Sequence, residues 1–183
     1  MKIVSIGGGP AGLFFAILMK QAYPETEIHV YEQNRPDDTF GWGVVFSDET
    51  LENIEEADRE TFARIRANFA YWGDIDTYYG DTCVTSTGHG FCGMARKKLL
   101  MLLQDRCREL GVELHFEVEV AGTVQFPDAD LILAADGFNS VVRDELAAHF
   151  KPTLDWRHCK FAWFGTDKTL RAFTFIFAEN EHG

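Results

Sequence analysis

The stretch that decides the fold is Lys2-Ile3-Val4-Ser5-Ile6-Gly7-Gly8-Gly9-Pro10-Ala11-Gly12. Lys2–Ile6 reads as a buried strand, and Gly7, Gly9 and Gly12 follow it directly at G-x-G-x-x-G spacing. Leu13–Gln21 (LFFAILMKQ) predicts a helix, and Glu27–Tyr31 (EIHVY) predicts a second strand ending at Glu32. Strand, glycine turn, helix, strand and acid in this order make the unit that cradles a dinucleotide pyrophosphate. Gly7 permits the tight turn, Gly9 lets the pyrophosphate reach the backbone, and Gly12 lets the helix pack against the strand. The start of the helix, around Ala11, offers free N–H groups and the positive end of its dipole. Pro10 sits in the first turn, where a missing N–H costs little. Glu32 lies 20 residues beyond Gly12, the spacing of a carboxylate that accepts ribose hydroxyls and disfavours a 2′-phosphate. Gln33, beside it, joins the candidate binding residues.

With 183 residues the chain holds one domain and part of a second. Its 46% hydrophobic content is that of an ordinary globular core. A net charge of −12 argues against nucleic acid and anionic membrane surfaces as partners. The four cysteines, at 83, 92, 107 and 159, form no C-x-x-C and no paired Cys/His spacing. That pattern speaks against a zinc site and for reduced thiols in the cytoplasm. No apolar run reaches the ~18 residues of a membrane span.

Further along, Gln33–Thr39 is a polar, proline-containing stretch. Phe40–Ser47 (FGWGVVFS) is apolar and glycine-bearing without strand alternation, a loop of the kind that a partner surface or a flat ligand covers. Ser47-Asp48-Glu49 signals a helix start, with mixed helical periodicity from Thr50 to Asn68. Tyr71–Gly90 predicts one or two short strands. Arg96–Leu110 predicts an amphipathic helix with Leu99, Leu102, Leu103 and Leu110 near one face and Gly111 as its stop. Strands are expected over Val112–Val118 and Asp130–Ala135, with a further short one starting at Val124. A helix is expected over Val141–Phe150, capped by Asn139 or Ser140. Phe161 and Trp163, then Phe173, Phe175 and Phe177, fall at period two and predict two strands, each with an aromatic face.

The second specific signal is Asp130–Arg143 (DLILAADGFNSVVR), a strand running into Asp136-Gly137 and then a capped helix carrying Arg143. Asp136 would stand at the carboxyl end of a parallel strand, where open α/β sheets bind ligands. The two signals together resemble the class A flavoprotein monooxygenases, the aromatic-hydroxylase family, over essentially the whole chain. Gly7–Gly12 and Glu32 match that family's FAD fingerprint. Asp136-Gly137, with Ser140 and Arg143, matches its D-G segment, and Arg96 matches an arginine that often faces the FAD. Phe40–Asp48 (FGWGVVFSD) and Gly88–Arg96 (GHGFCGMAR) look like the subgroup that hydroxylates aromatic CoA thioesters such as salicyloyl-CoA and 2-aminobenzoyl-CoA. A violacein-pathway tryptophan hydroxylase has a similar G-W-G-V-V loop, so the loop does not fix the substrate.

The resemblance implies an α/β, Rossmann-like FAD-binding fold with the start of a β-rich substrate domain. Residues 1–155 would bind FAD, with a β insertion near 71–90, and 156–183 would begin the substrate-domain sheet. NADH or NADPH would reduce the FAD, and oxygen activated on it would pass to a small aromatic ring, CoA-linked or free. No triad or metal cluster is then required, and no catalytic residue is assigned. His89, between two glycines, is a weak candidate for a base, and a lone turn histidine is more often a solvated or capping residue. Two features depart from the family pattern. Trp42 and Val44 stand where many members carry arginines, and no G-D pair for the ribityl chain follows the D-G segment. Because family chains are more than twice as long, this chain is expected to be an N-terminal portion. Two alternatives stay open, another FAD-dependent reductase or dehydrogenase and, if the chain ends at Gly183, a non-catalytic nucleotide-binding domain.

Overall fold

The computed structural model describes residues 1–181. In chain order its elements are β1 (Lys2–Ile6), α1 (Pro10–Ala22), β2 (Glu27–Glu32), β3 (Gly43–Ser47), α2 (Asp48–Ala57), α3 (Arg59–Arg66), β4 (Ala70–Tyr79) and β5 (Thr82–Ala95). There follow α4 (Arg96–Glu109), β6 (Glu113–Phe116), β7 (Leu131–Ala134), α5 (Val141–Glu145), α6 (Ala147–Phe150) and β8 (Phe173–Phe177). They group into two compact units, Met1–Phe40 with Lys97–Ala162, and Gly41–Arg96 with Trp163–Gly183.

The first unit is built on a parallel sheet of order β6-β2-β1-β7. β1 is central, and Ile3, Val4 and Ser5 are fully buried, as a parallel strand covered on both faces requires. Parallel neighbours need crossovers, and α1 makes the one from β1 to β2. It buries Leu13, Ala16 and Ile17, the i, i+3, i+4 stripe of a helix lying on a sheet. α4 buries Leu99, Leu100, Leu103, Gln104 and Cys107, so its packed stripe is turned away from the expected Leu102 and Leu110. Gly111, at φ +80, ends that helix in the left-handed conformation that favours glycine. The strand expected from Val124 is a 3-10 turn, Thr123–Gln125. Glu145 holds it, accepting from the Thr123 backbone N–H at 2.8 Å and hydroxyl at 2.7 Å. The single helix expected over Val141–Phe150 is two short ones, broken at Leu146.

The second unit is a sheet of order β3-β5-β4-β8, with β8 parallel to β4 and the other pairs antiparallel. β4 and β5 form one long hairpin, ten and fourteen residues, where short strands were expected. Its turn passes through Gly80 at φ +57. The apolar stretch expected as a loop contributes β3, paired from Gly43↔Ala95 to Ser47↔Phe91. Val44 and Phe46 are half-buried and Val45 is exposed, but the sequence is apolar at all three, so it carries no apolar–polar alternation. The helical stretch after Ser47 is two helices. Ser47 caps α2 by accepting from Thr50 N–H at 3.3 Å, and Asp58 breaks the run and caps α3. Asp58 is extended, and its carboxylate accepts from Glu60 N–H at 3.3 Å and Thr61 O–H at 2.6 Å. The strand expected around Phe161 and Trp163 does not form, and both side chains are exposed.

Candidate dinucleotide site

The glycine turn joins β1 to α1 at the carboxyl end of the parallel sheet. Gly7 adopts φ +108, and a Cβ there would stand 2.3 Å from the Ala135 carbonyl oxygen. A Cβ on Gly12 would stand 2.1 Å from the Gly7 carbonyl oxygen and 2.8 Å from Ser5 Oγ. Both positions therefore exclude a side chain for reasons internal to the fold. Gly9 differs, since a Cβ there would meet nothing within 4 Å and its backbone is extended at φ −73 and ψ 176. It is the N-cap of α1, with Pro10 next to it and no side-chain cap. The first N–H groups of that helix thus have no partner within the helix and open onto free space, the chemistry of an anion site. Ala11 is exposed at the same helix start.

Glu32 ends β2 beside this turn. One carboxylate oxygen accepts from Gly8 N–H at 2.8 Å. The other accepts from Asn34 N–H at 2.8 Å and from the Asn34 side-chain amide at 2.6 Å. Sequence reasoning placed Glu32 and missed Gly8 and Asn34. Gly8 has a steric signal of its own, because a Cβ there would lie 2.8 Å from Glu32 Cβ. Gln33 is exposed next to the acid. The following turn is tied to α4 by Gln104 Nε2 donating to the Pro36 carbonyl at 2.9 Å and by Lys97 Nζ donating to Asp37 at 3.3 Å. That ammonium, with Arg35, holds the Asp37 carboxyl below its ordinary value.

β7 runs alongside β1, with Ile6 in register with Ala134 and Ala135 N–H donating to the Ile6 carbonyl at 2.8 Å. This brings Asp136 and Gly137 against the glycine turn, and a Cβ on Gly7 would lie 2.8 Å from Asp136 N. Gly137 is at φ +79. Asp136 Oδ2 accepts from Val141 N–H at 2.7 Å, and Ser140 Oγ accepts from Arg143 N–H at 3.0 Å, so both residues cap α5. Arg143 is occupied within the segment, on the Phe138 carbonyl and Asp144. Asp136 Oδ1 and Thr39 Oγ1 are buried polar atoms without a hydrogen-bond partner among the described residues. Such atoms cost ~1–3 kcal/mol unless a donor reaches them.

The structure thus brings together Gly7, Gly9, Pro10, Ala11, Gly12, Glu32, Asp136 and Gly137. Arg96 and His89 belong to the other unit. Arg96 opens α4, its backbone N–H donates to the Trp42 carbonyl at 3.1 Å, and its Nε is buried without a partner among the described residues. His89 lies within β5, its Nε2 at 2.6 Å from Ser86 Oγ.

Comparison with known proteins gives a consistent set of relatives. The chain is 42% identical over all its 183 residues to a salicyloyl-CoA 5-hydroxylase of Streptomyces sp, covering 35% of that protein. It is 32% identical to the protodeoxyviolaceinate monooxygenase of Chromobacterium violaceum, over 97% of this chain and 48% of that one. A third relative, 31% identical over the whole chain and 51% of its own length, is the 3-hydroxy-4-methyl-anthranilyl-[aryl-carrier protein] 5-monooxygenase of Streptosporangium sibiricum. The chain therefore spans between 35% and 51% of the length of these relatives. Among solved structures, 2-methyl-3-hydroxypyridine-5-carboxylic acid oxygenase superposes with a TM-score of 0.70 at 25% identity, over 79% of this chain and 42% of that chain. Pseudomonas aeruginosa PqsL in complex with 2-aminobenzoylacetate shares the fold, with a TM-score of 0.66 at 18% identity, over 86% of this chain and 47% of that chain. No protein-family model matches the chain.

Proposed function

We propose, for a chain that belongs to the FAD-dependent aromatic hydroxylases, that it takes part in NAD(P)H- and O2-dependent hydroxylation of an aromatic ring carried as a CoA thioester. The observation that supports this best is the difference between the glycines. Gly7 and Gly12 are closed by the fold, while Gly9 opens the first turn of α1 toward free space. A pyrophosphate fits that opening, because it accepts from unpaired N–H groups and meets the positive end of the helix dipole. The cradle fits FAD as well, since Asp136, against the glycine turn, keeps a buried carboxylate oxygen without a hydrogen-bond partner among the described residues. On this reading Gly9–Gly12 hold the pyrophosphate, and Glu32 takes a ribose hydroxyl with Gln33 beside it. Asp136-Gly137 serves the flavin side.

Bound FAD supplies the hydride-accepting and oxygen-activating chemistry. The residues of the chain bind, orient and keep charge where it is needed. Glu32 shapes the loop by holding Gly8 N–H, and Asp136 fixes the turn after β7 by capping α5. Met1–Phe40 with Lys97–Ala162 belongs to the cofactor side in this reading. The pairing of β8 with β4 suggests that Gly41–Arg96 and the segment from Trp163 onward form one substrate-side sheet. No helix of the described residues is long and apolar enough to cross a membrane. The four free thiols favour the cytoplasm.

The test is oxidation of NADH or NADPH by the natural gene product, with oxygen uptake, with and without salicyloyl-CoA. The reading expects bound FAD, stimulation by the thioester over free salicylate, and a product one oxygen atom heavier. Substrate-stimulated reduction without oxygen uptake would make the protein a reductase, and failure to bind FAD would remove the proposal.

A further inference from the structure

We propose that His29, Glu113 and His115 form a site for one divalent transition-metal ion of the zinc type. The sequence hides it, since the two histidines are separated by 86 positions. The parallel register of β2 and β6 brings them together by setting His29 opposite Glu113 and Tyr31 opposite His115. All three side chains then rise from the same face of adjacent strands, because side chains alternate with period two.

The geometry is that of a ligand set. His29 Nδ1 lies 3.0 Å from His115 Nε2 and 3.4 Å from Glu113 Oε2, and the last pair is 3.9 Å apart. A triangle of these sides has a circumscribed radius of about 2.0 Å, which is the bond length of zinc to imidazole nitrogen and carboxylate oxygen. One ion can therefore lie within bonding distance of all three atoms.

The surroundings support the same reading. His29 is buried, and its other ring nitrogen, Nε2, lies 2.6 Å from Glu27 Oε1. With Nε2 donating to that carboxylate, Nδ1 is the nitrogen that would face an ion, the carboxylate–histidine arrangement that supports metal ligands. The His115 ring is fixed by stacking on Tyr31, with ring centroids 4.5 Å apart, and Tyr31 rests on Phe126 at 4.8 Å. Two imidazoles and one carboxylate select zinc, copper or nickel over magnesium and calcium. The bound ion would pin the edge strand β6 to β2.

The experiment is equilibrium dialysis of tag-free natural gene product against Zn2+, with the exposed Cys83 and Cys159 alkylated beforehand. Wild type is compared with His115→Gln and with Glu113→Gln, whose largely exposed side chain leaves the core untouched. The proposal expects wild type to hold one equivalent more than either variant. It also expects Glu27→Gln to weaken that equivalent by about tenfold or more. Co2+ in place of Zn2+ should give the visible absorption of a low-coordinate site in wild type and lose it in His115→Gln. Equal stoichiometry and affinity in wild type and both variants would overturn the site, whatever the flavin content of the protein.

Discussion

The three glycines of the turn make different demands, and replacing them one at a time separates fold from binding. At Gly9 alanine meets no atom within 4 Å and the backbone is in a region any residue adopts. Losing the N-cap preference of glycine over alanine costs about 0.5–1 kcal/mol. The reduced freedom of the unfolded chain returns about 0.4–1 kcal/mol. Gly9→Ala should therefore leave stability within about 0.5 kcal/mol of wild type, the difference of those two terms. The new methyl group stands where a phosphate must come against the backbone. Losing one charge-assisted N–H bond to that phosphate costs about 1.5–3 kcal/mol, which is about ten- to a hundredfold in FAD Kd. Gly12→Ala puts a methyl group 2.1 Å from a backbone oxygen that cannot rotate away. Overpacking of that kind costs about 1–3 kcal/mol, and a loss of ~2 kcal/mol lowers Tm by about 4–8 °C in a protein of this size. The assays are thermal unfolding without cofactor and FAD titration followed by fluorescence. A Gly9→Ala protein that binds FAD like wild type would refute the pyrophosphate reading. A Gly12→Ala protein as stable as wild type would refute the packing argument.

Other consequences follow from single contacts. Asp136→Ala removes the acceptor for Val141 N–H and should cost about 1 kcal/mol of stability by loss of a cap. It should also weaken FAD binding, read by the same titration. Cys107 is buried and its thiol is pushed up to about 12, so it stays protonated and unreactive at pH 8. Timed alkylation with mass spectrometry should modify Cys83 and Cys159 in the native protein and reach Cys107 only in denaturant. Glu145 is held below its ordinary value of 4.5, chiefly by the Thr123 backbone N–H. A lowered carboxyl contributes stability above the ordinary value and loses it as pH falls through the folded one. The hydrogen-exchange protection factors of the Thr123–Gln125 turn should therefore fall below pH 4.5, and Glu145→Gln should flatten that dependence.

What was legible in the sequence is what local sterics dictate. β1, the glycine turn, α1 and β2 stand where the reading put them, because glycine positions, a buried apolar run and helical periodicity each act within a few residues. The strand before Asp136-Gly137 was legible for the same reason. β3 was not, because Val44, Val45 and Phe46 are all apolar, so the half-buried and exposed faces of the strand look alike in the sequence. The break at Asp58 was not, because it depends on a side chain turning back to the Glu60 N–H and the Thr61 hydroxyl. The aromatics at 161 and 163 misled, since period two predicts a strand only where a neighbour pairs with it, and here both are exposed. The His29, Glu113 and His115 cluster lay out of reach because it exists only through the β2–β6 register.

Glu32 shows why such motifs are tighter than their ligand alone requires. A carboxylate offers about four lone-pair sites. In this chain three donors, Gly8 N–H, Asn34 N–H and the Asn34 amide, already occupy them. About one site is left for a ribose hydroxyl. The acid therefore holds the glycine loop in shape before any nucleotide arrives, and the ligand completes a network that the fold has largely made. The 20-residue interval from Gly12 to Glu32 then answers two constraints at once. β2 must end level with β1 so that the carboxylate reaches Gly8, as the Ile6↔Tyr31 register ensures, and the remaining acceptor must face the same opening as Gly9. Either constraint alone would leave a residue or two of latitude in the α1–β2 connection, and together they remove it.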